Sequence, residues 1–248
     1  MNRFFVDFDG QTFDKSIEIT GEDVNHIKNV LRLKVKDEII ISDGRGRDYR
    51  CQISVIENEK IVADISDVCD NFAELETAVT LFQGFPKSDK MDFIIQKAVE
   101  LGVARIVPVL TKRTVVKLED KKAAKKTERF QTIARAAAKQ SGRGIVPEVT
   151  KPVSWKEALA MAKTLEMNIL PYEEAEGVAH SKAVFSDIKG KKSLGIFIGP
   201  EGGFSREEVT AAEEIGAKTV TLGHRILRTE TAGMAVMSII MFELEEDR

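Results

Sequence analysis

The chain has 248 residues, of which 43% are hydrophobic and 31% charged, and its formal net charge is −3. This composition excludes a disordered chain, and the charge excludes a uniformly basic coat for nucleic acid. Cys51 and Cys69 form no C-x-x-C pair, which indicates a reducing compartment and no metal site. The longest apolar run, 234–242, is too short to span a bilayer, so we expect a cytoplasmic protein without a membrane partner.

Residues 1–72 are predicted to form a small β-rich domain. Its predicted strands are 4–8, 38–42, 49–56 and 61–68, with turns at 43–46 and 57–60. One helix interrupts them: Thr20 is a suitable N-cap, and Val24, Ile27 and Leu31 recur at helical spacing. Short strands with a single helix predict a compact, partly closed β-barrel, followed by a linker at 70–74.

Strands and helices alternate over residues 73–248. The predicted strands are 78–83, 103–110, 145–149, 167–170, 194–198 and 219–222. Helices are predicted to begin at Ser88 or Asp89, to cover about 121–140, and to begin at Ser154 and at Ser205, which form capping boxes with Glu157 and Glu208. This alternation predicts an α/β domain with a mostly parallel sheet and helices on both faces.

Two glycine-containing loops follow the last two predicted strands and precede helical patterns. They are Ile196-Phe-Ile-Gly-Pro-Glu-Gly-Gly-Phe-Ser205 and Thr221-Leu-Gly-His-Arg-Ile-Leu-Arg-Thr-Glu-Thr231. Neither matches the Walker or the dinucleotide-binding fingerprint. Their backbone amides could instead hold a ring edge or a carboxylate at the strand ends. The alternative is that the glycines only turn the chain.

Five motifs, in order along the whole chain, resemble the bacterial RsmE family, the 16S ribosomal RNA (uracil-N3)-methyltransferases. They are Asn25-His-Ile-Lys-Asn-Val-Leu-Arg-Leu-Lys34, Lys87-Ser-Asp-Lys-Met-Asp92, Gln140-Ser-Gly-Arg143, Ile198-Gly-Pro-Glu-Gly-Gly-Phe-Ser205 and Leu222-Gly-His-Arg-Ile-Leu-Arg-Thr-Glu-Thr-Ala232. The resemblance implies a SPOUT domain with a C-terminal trefoil knot at 73–248 and a PUA-like RNA-binding domain at 1–72. Asn25 and Ser88 depart from the family pattern, away from the two C-terminal loops.

The resemblance also implies S-adenosyl-L-methionine as cofactor and a set of residues that hold it. Loop amides would bind the adenine, and apolar side chains would form its slot. The implied cofactor-binding residues are Leu170, Pro171, Gly199, Pro200, Glu201, Gly202, Gly203, Leu222, Gly223, Ile226, Leu227, Arg228, Thr231 and Ala232.

Three residues are candidates for catalysis. Arg143 matches the position of a functional arginine in related knotted methyltransferases and could stabilise an anionic uracil ring, or it could contact a phosphate. Glu201 and Glu230 could accept a proton, or they could support the helices that follow them. His224 lies in a loop but is a weaker candidate base.

Basic residues cluster despite the acidic net charge, which suits a phosphate-rich partner, although charge runs are usually solvated helix faces. The predicted RNA-binding residues are Arg3, Lys28, Arg32, Lys34, Arg45, Arg47, Arg50, Lys87, Lys90 and Arg113. The implied partners are 16S rRNA in the small ribosomal subunit and a second copy of the chain, a homodimer through the methyltransferase domain. Two other interpretations stay open: an RNA-binding ribosome-assembly factor without catalysis, and a small-molecule α/β enzyme.

Overall fold

A computed structural model describes residues 1–6, 15–87, 89–114 and 120–245, which divide into two compact units. The first unit comprises Met1–Glu74 together with Ala138–Val146, and the second comprises Leu75–Ala137 with Pro147–Arg248. The predicted boundary was at residue 72, and the first compact unit extends to Glu74. No feature of the sequence predicted that 138–146 would join the first unit.

The first unit is built on a five-stranded sheet with the order β1-β3-β4-β5-β2. Its strands are β1 (Asn2–Phe5), β2 (Ser16–Thr20), β3 (Glu38–Ser42), β4 (Arg47–Ile56) and β5 (Lys60–Asp70). The pairing of β1 with β3 is parallel, and the other three are antiparallel. The predicted strands at 38–42, 49–56 and 61–68 are confirmed, whereas β2 was not predicted. Residues 7 and 8 of the first predicted strand lie outside the described residues.

Alternating apolar side chains of these strands form the core of the first unit. Ile17 and Ile19 of β2 and Ile39 and Ile41 of β3 are buried, in the every-second-residue pattern of a sheet with one packed face. The single helix was placed correctly but its cap was wrong. Thr20 is the last residue of β2, so the N-cap is Gly21 with φ 73°, followed by α1 (Glu22–Asn25) and a π-helical turn (His26–Val30).

The second unit contains a seven-stranded sheet, with the order β12-β10-β11-β6-β7-β8 and with β9 also on β7. The strands are β6 (Ala78–Gly84), β7 (Arg105–Leu110), β8 (Glu148–Val149), β9 (Val153–Ser154), β10 (Met167–Pro171), β11 (Ser193–Ile198) and β12 (Lys218–Val220). Every pairing among these described strands is parallel, which confirms the predicted parallel sheet.

Among the described residues five helices connect these strands and α7 follows the last strand: α2 (Lys90–Glu100), α3 (Asp120–Ser141), α4 (Trp155–Ala162), α5 (Val178–Ser186), α6 (Arg206–Glu214) and α7 (Thr229–Leu244). Helix α5 was not predicted from the sequence. The predicted capping boxes at Ser154 and Ser205 are both present, each with the glutamate three residues on. None of the described helices is both long and apolar enough to span a bilayer.

Helices cover both faces of the parallel sheet, as predicted. Phe82 and Phe197 stack with ring centroids 4.6 Å apart, in a core cluster with apolar residues of α4 and α6. Ile198 is the next residue of β11 and therefore points to the opposite face, where a side chain on Gly233 of α7 would lie 3.9 Å from it. Helix α7 also contacts α2 and α5. The two loops that are predicted to bind a cofactor follow β11 and β12 of this sheet.

Candidate functional site

The three chain segments predicted to hold a cofactor meet at one edge of the parallel sheet. Strand β10 lies between β11 and β12, with Ile169 opposite Ile196 and Pro171 opposite Val220. Because all three strands are parallel, their carboxyl ends lie side by side. Leu170 and Pro171, the loop 199–203 and the loop 221–228 therefore share the edge at which open α/β sheets bind ligands.

The loop 199–203 is a tight turn pressed against the end of β6. The backbone N–H of Gly203 donates to the carbonyl oxygen of Pro200 at 2.8 Å, and Gly203 has a φ of 66°, which an L side chain rarely adopts. A Cβ on Gly84 would lie only 2.5 Å from the nitrogen of Pro200. Gly84 is therefore needed for the close approach of this loop, although the sequence analysis did not select it.

A buried hydrogen-bonded bridge joins this loop to the start of α7. The hydroxyl of Thr229 donates to the carbonyl oxygen of Gly199 at 2.6 Å and accepts from Nε2 of Gln83 at 2.9 Å. Thr229 is 6% exposed and Gln83 is fully buried. Gln83 was not a candidate; the available signal was a glutamine directly after the apolar pair Leu81-Phe82 of β6. The bridge fixes the ends of β6 and β11 relative to the first residue of α7.

The two acidic candidates of this region share one lysine, and we call Lys90, Glu201 and Glu230 the Lys90 cluster. The Nζ atom of Lys90 lies 3.2 Å from Oε1 of Glu201 and 3.4 Å from Oε2 of Glu230. The carboxylate of Glu201 also accepts from the backbone N–H of Lys87, at 3.2 and 3.3 Å. The structure thus brings two predicted catalytic acids together with a predicted RNA-binding lysine.

These contacts keep Glu201 ionised. Burial alone would raise the pKa of Glu201, but hydrogen bonds from backbone N–H groups and from Lys90 outweigh it and lower the pKa below its usual value. The hydrogen bond between Lys90 and Glu201 also raises the pKa of Lys90. A carboxylate with a lowered pKa is a weaker proton acceptor, so this geometry suits Glu201 to an orienting role.

The loop 221–228 presents both backbone and apolar side chains at the same edge. The backbone N–H of Gly223, which has a φ of 100°, donates to the hydroxyl of Thr221 at 3.2 Å. Ile226 is 92% exposed, whereas Leu222 and Leu227 are half-buried. Arg228 is the N-cap residue of α7 and Glu230 lies in its first turn, where a carboxylate also interacts favourably with the helix dipole.

Arg143, the third catalytic candidate, belongs to the first unit, whereas Glu201 and Glu230 belong to the second. It is 2% exposed; its Nη2 atom bonds the carboxylate of Glu74, and its Nε atom donates to the same carboxylate at 3.2 Å. Glu74 also accepts from the backbone N–H groups of Gly144 and Ile145, each at 3.1 Å. These bonds fasten the segment 138–146 within the first unit.

The predicted RNA-binding residues differ in their contacts. Arg3 binds both carboxylate oxygens of Asp48, at 2.5 and 2.7 Å, and its side chain is 9% exposed. Lys28 donates to the carbonyl oxygen of Glu57 at 2.9 Å. Arg113 is exposed and donates to the carbonyl oxygen of Gly202 at 2.5 Å, so it contacts the loop 199–203. The other exposed residues of this set are Arg32, Lys34, Arg45, Arg47, Arg50 and Lys87.

Comparisons with known proteins agree with this geometry. The family described as RNA methyltransferase domain matches residues 73–241, and the RNA methyltransferase PUA domain matches residues 19–66. Ribosomal RNA small subunit methyltransferase E of Bacillus subtilis is 36% identical, with 99% of this chain and 98% of the relative covered. The protein of the same name from Aquifex aeolicus is 34% identical over 88% and 91% of the two chains.

A solved structure is also similar over the whole chain. It is the ribosomal RNA small subunit methyltransferase E from Neisseria gonorrhoeae bound to S-adenosylmethionine. The sequence identity is 33%, the TM-score is 0.84, and the match covers 98% of this chain and 97% of that one.

Proposed function

Since the chain belongs to the ribosomal RNA small subunit methyltransferase E family, we propose that it transfers a methyl group from S-adenosylmethionine to N3 of a uridine in 16S rRNA. The observation that carries this proposal is the meeting of the segments 170–171, 199–203 and 221–228 at the carboxyl ends of three adjacent parallel strands. The N. gonorrhoeae relative, with a TM-score of 0.84, holds S-adenosylmethionine.

The residues at this edge fit the cofactor. Closely folded glycine loops offer backbone amides to the adenine, and Ile226, which is 92% exposed, offers an apolar side chain to a ring. When bound, the cofactor supplies an activated methyl group. The chain has to hold the uracil nitrogen in line with that methyl group and accommodate the loss of the N3 proton.

We assign an orienting role to Glu201, because its lowered pKa makes it a weak proton acceptor. Proton acceptance by Glu230 and catalysis by Arg143 remain predictions. The bonds of Arg143 to Glu74 support a fastening role within the first unit.

For RNA binding we propose the exposed basic residues Arg32, Lys34, Arg45, Arg47 and Arg50 together with Lys28 on the first unit, and Lys87 and Arg113 on the second. Such residues bind phosphates, and the loss of one lowers the salt dependence of binding by about one unit. We leave Arg3 out, because Asp48 occupies its guanidinium. The substrate in this proposal is the small ribosomal subunit, and the protein acts in the cytoplasm.

We further propose a homodimer through the second unit and a knotted C-terminal segment. Phe93 of α2 and Ile239 and Phe242 of α7 are 43%, 37% and 79% exposed, and the two helices contact each other, so a second copy has an apolar surface to cover. The chain leaves the edge strand β12, and α7 then returns to pack on α2 and α5 beside the ends of β6 and β11. This path supports the implied trefoil knot.

The test is methylation of small ribosomal subunits purified from cells that lack this protein. Radiolabelled S-adenosylmethionine and mass spectrometry should show one 3-methyluridine in 16S rRNA. Gly84→Val should abolish the product, since a side chain there displaces the loop 199–203. Cofactor binding without methyl transfer to any form of the rRNA would instead favour an assembly factor. Light scattering at micromolar concentration tests the dimer.

A further inference from the structure

Lys90 carries the charge that compensates two carboxylates from separate segments of the chain. Glu201 lies in the loop after β11, Glu230 lies in the first turn of α7, and Lys90 is the first residue of α2. The side chains of Lys90, Glu201 and Glu230 are 31%, 30% and 17% exposed. Among the described residues, Oε2 of Glu230 is buried without a hydrogen-bond donor, so the ammonium 3.4 Å away is what offsets its charge.

We propose that Lys90 is a positioning residue that holds the loop 199–203 against the start of α7. It thereby keeps the proposed cofactor edge, which consists of the segments 170–171, 199–203 and 221–228, in its binding geometry. This inference rests on the proposed function of that edge. It assigns Lys90 a different role from the predicted RNA contact, because its ammonium already faces two carboxylates. The buried bridge of Gln83, Thr229 and Gly199 joins the same two segments.

The physical reason is the repulsion that Lys90 suppresses. Without its ammonium, the carboxylates of Glu201 and Glu230 would lie near each other, and among the described residues only Glu201 would keep hydrogen bonds, from backbone N–H groups. Half-buried like charges repel more strongly than exposed ones, and a buried charge without a partner is destabilising. This repulsion would be reduced if the loop 199–203 and the start of α7 moved apart, and that movement would deform the cofactor edge.

The experiment compares Lys90→Met, Lys90→Arg and the control Lys218→Met by calorimetric titration with S-adenosylmethionine and with S-adenosylhomocysteine. Lys218 is matched because it pairs with Asp187 at 3.3 Å, at the amino end of β12, away from the loops. A positioning role predicts that Lys90→Met lowers the affinity for both ligands by about tenfold. This is the effect expected for an ion pair that is neither fully exposed nor fully buried. The affinities of Lys90→Arg should stay within about threefold of those of the wild type. The affinities of Lys218→Met should equal those of the wild type.

The two ligands separate positioning from direct electrostatics, because only S-adenosylmethionine carries a sulfonium charge. If Lys90→Met changes the affinity for S-adenosylmethionine alone, the lysine acts through charge on the ligand and the proposal is overturned. Unchanged affinity for both ligands with weaker binding to small subunits would return Lys90 to the RNA-binding residues. A wild-type protein that binds neither ligand would refute the proposed function and, with it, this inference, whereas the two outcomes above overturn this inference alone.

A double variant guards against a folding defect. Lys90→Met combined with Glu230→Gln removes the ammonium and one of the opposed charges, so it should recover most of the affinity lost in Lys90→Met. Circular dichroism establishes that each variant is folded. If the double variant binds both ligands no better than Lys90→Met, repulsion is not the cause and the proposal fails.

Discussion

Replacement of Thr229 by valine should lower the free energy of unfolding and weaken binding at the proposed cofactor site. Valine has nearly the shape of threonine but cannot donate or accept a hydrogen bond. Thr229→Val leaves the carbonyl oxygen of Gly199 without its 2.6 Å donor, and it removes one of the two acceptors of Nε2 of Gln83, which is fully buried. The packing around the side chain is unchanged, so the effect reports the hydrogen bonds.

The expected loss follows from the cost of leaving buried polar groups unpaired. That cost is about 1–3 kcal/mol per group, and in Thr229→Val one carbonyl loses its donor while the amide keeps its bond to the carbonyl of Gly84. We therefore expect the free energy of unfolding to fall by about 2 kcal/mol. We also expect weaker cofactor binding, because Gly199 begins the loop that is proposed to contact the cofactor.

Thr77→Val is the matched control. Its hydroxyl also donates to a backbone carbonyl at 2.6 Å, that of Lys191, and Thr77 is 3% exposed against 6% for Thr229. Thr77 precedes the amino end of β6, at the far edge of the sheet from the loops. Urea denaturation should show comparable losses in the two variants, whereas calorimetric titration with S-adenosylmethionine should show weaker binding in Thr229→Val alone. Equal affinities in both variants would refute the idea that the bridge shapes the cofactor edge.

Three further predictions concern the stability of the chain. Arg143→Met should lower the free energy of unfolding, measured by urea denaturation, by about 3 kcal/mol, because Glu74 would lose its charged partner. A variant of full stability that has lost turnover would show that Arg143 acts in catalysis and does not fasten the segment 138–146. Ser154→Ala should cost about 1 kcal/mol in the same measurement, since it removes the N-cap of α4, and an unchanged midpoint would contradict this. Burial raises the pKa of Cys51 from 9.0 to about 12, so the unfolded chain ionises first and stability should fall between pH 9 and 12. Cys51→Ala should show a shallower fall over that range.

Local sequence signals predicted the elements of this protein well. The capping residues Ser154 and Ser205, each with a glutamate three residues later, identified two helix starts because the whole motif lies within four residues. Alternation of apolar strands with helical patterns gave the parallel sheet for the same reason. Strand β2 was missed because threonine is a favoured N-cap, and Thr20 was assigned to the helix and not to the alternating run Ser16–Thr20.

The cofactor edge could be predicted in part. The loops 199–203 and 221–228 are distinctive in the sequence, and parallel strands bring their ends together by rule. Gln83 and Thr229 stand 146 residues apart, and nothing near either residue reveals the other. Their bond exists because β6 neighbours β11 in the sheet and α7 returns to that end of both strands.

The sequence by itself determined the composition of each element, the loop chemistry at the strand ends and the family of the chain, because these depend on residues close together or on whole motifs. Only the tertiary structure decided the partners of the charged residues. Lys90 faces Glu201 and Glu230, Arg3 faces Asp48, and the segment 138–146 joins the first unit. From the sequence alone, a charged side chain is expected to be exposed to solvent. Whether it lies beside an opposite charge depends on which distant segments the fold places next to it.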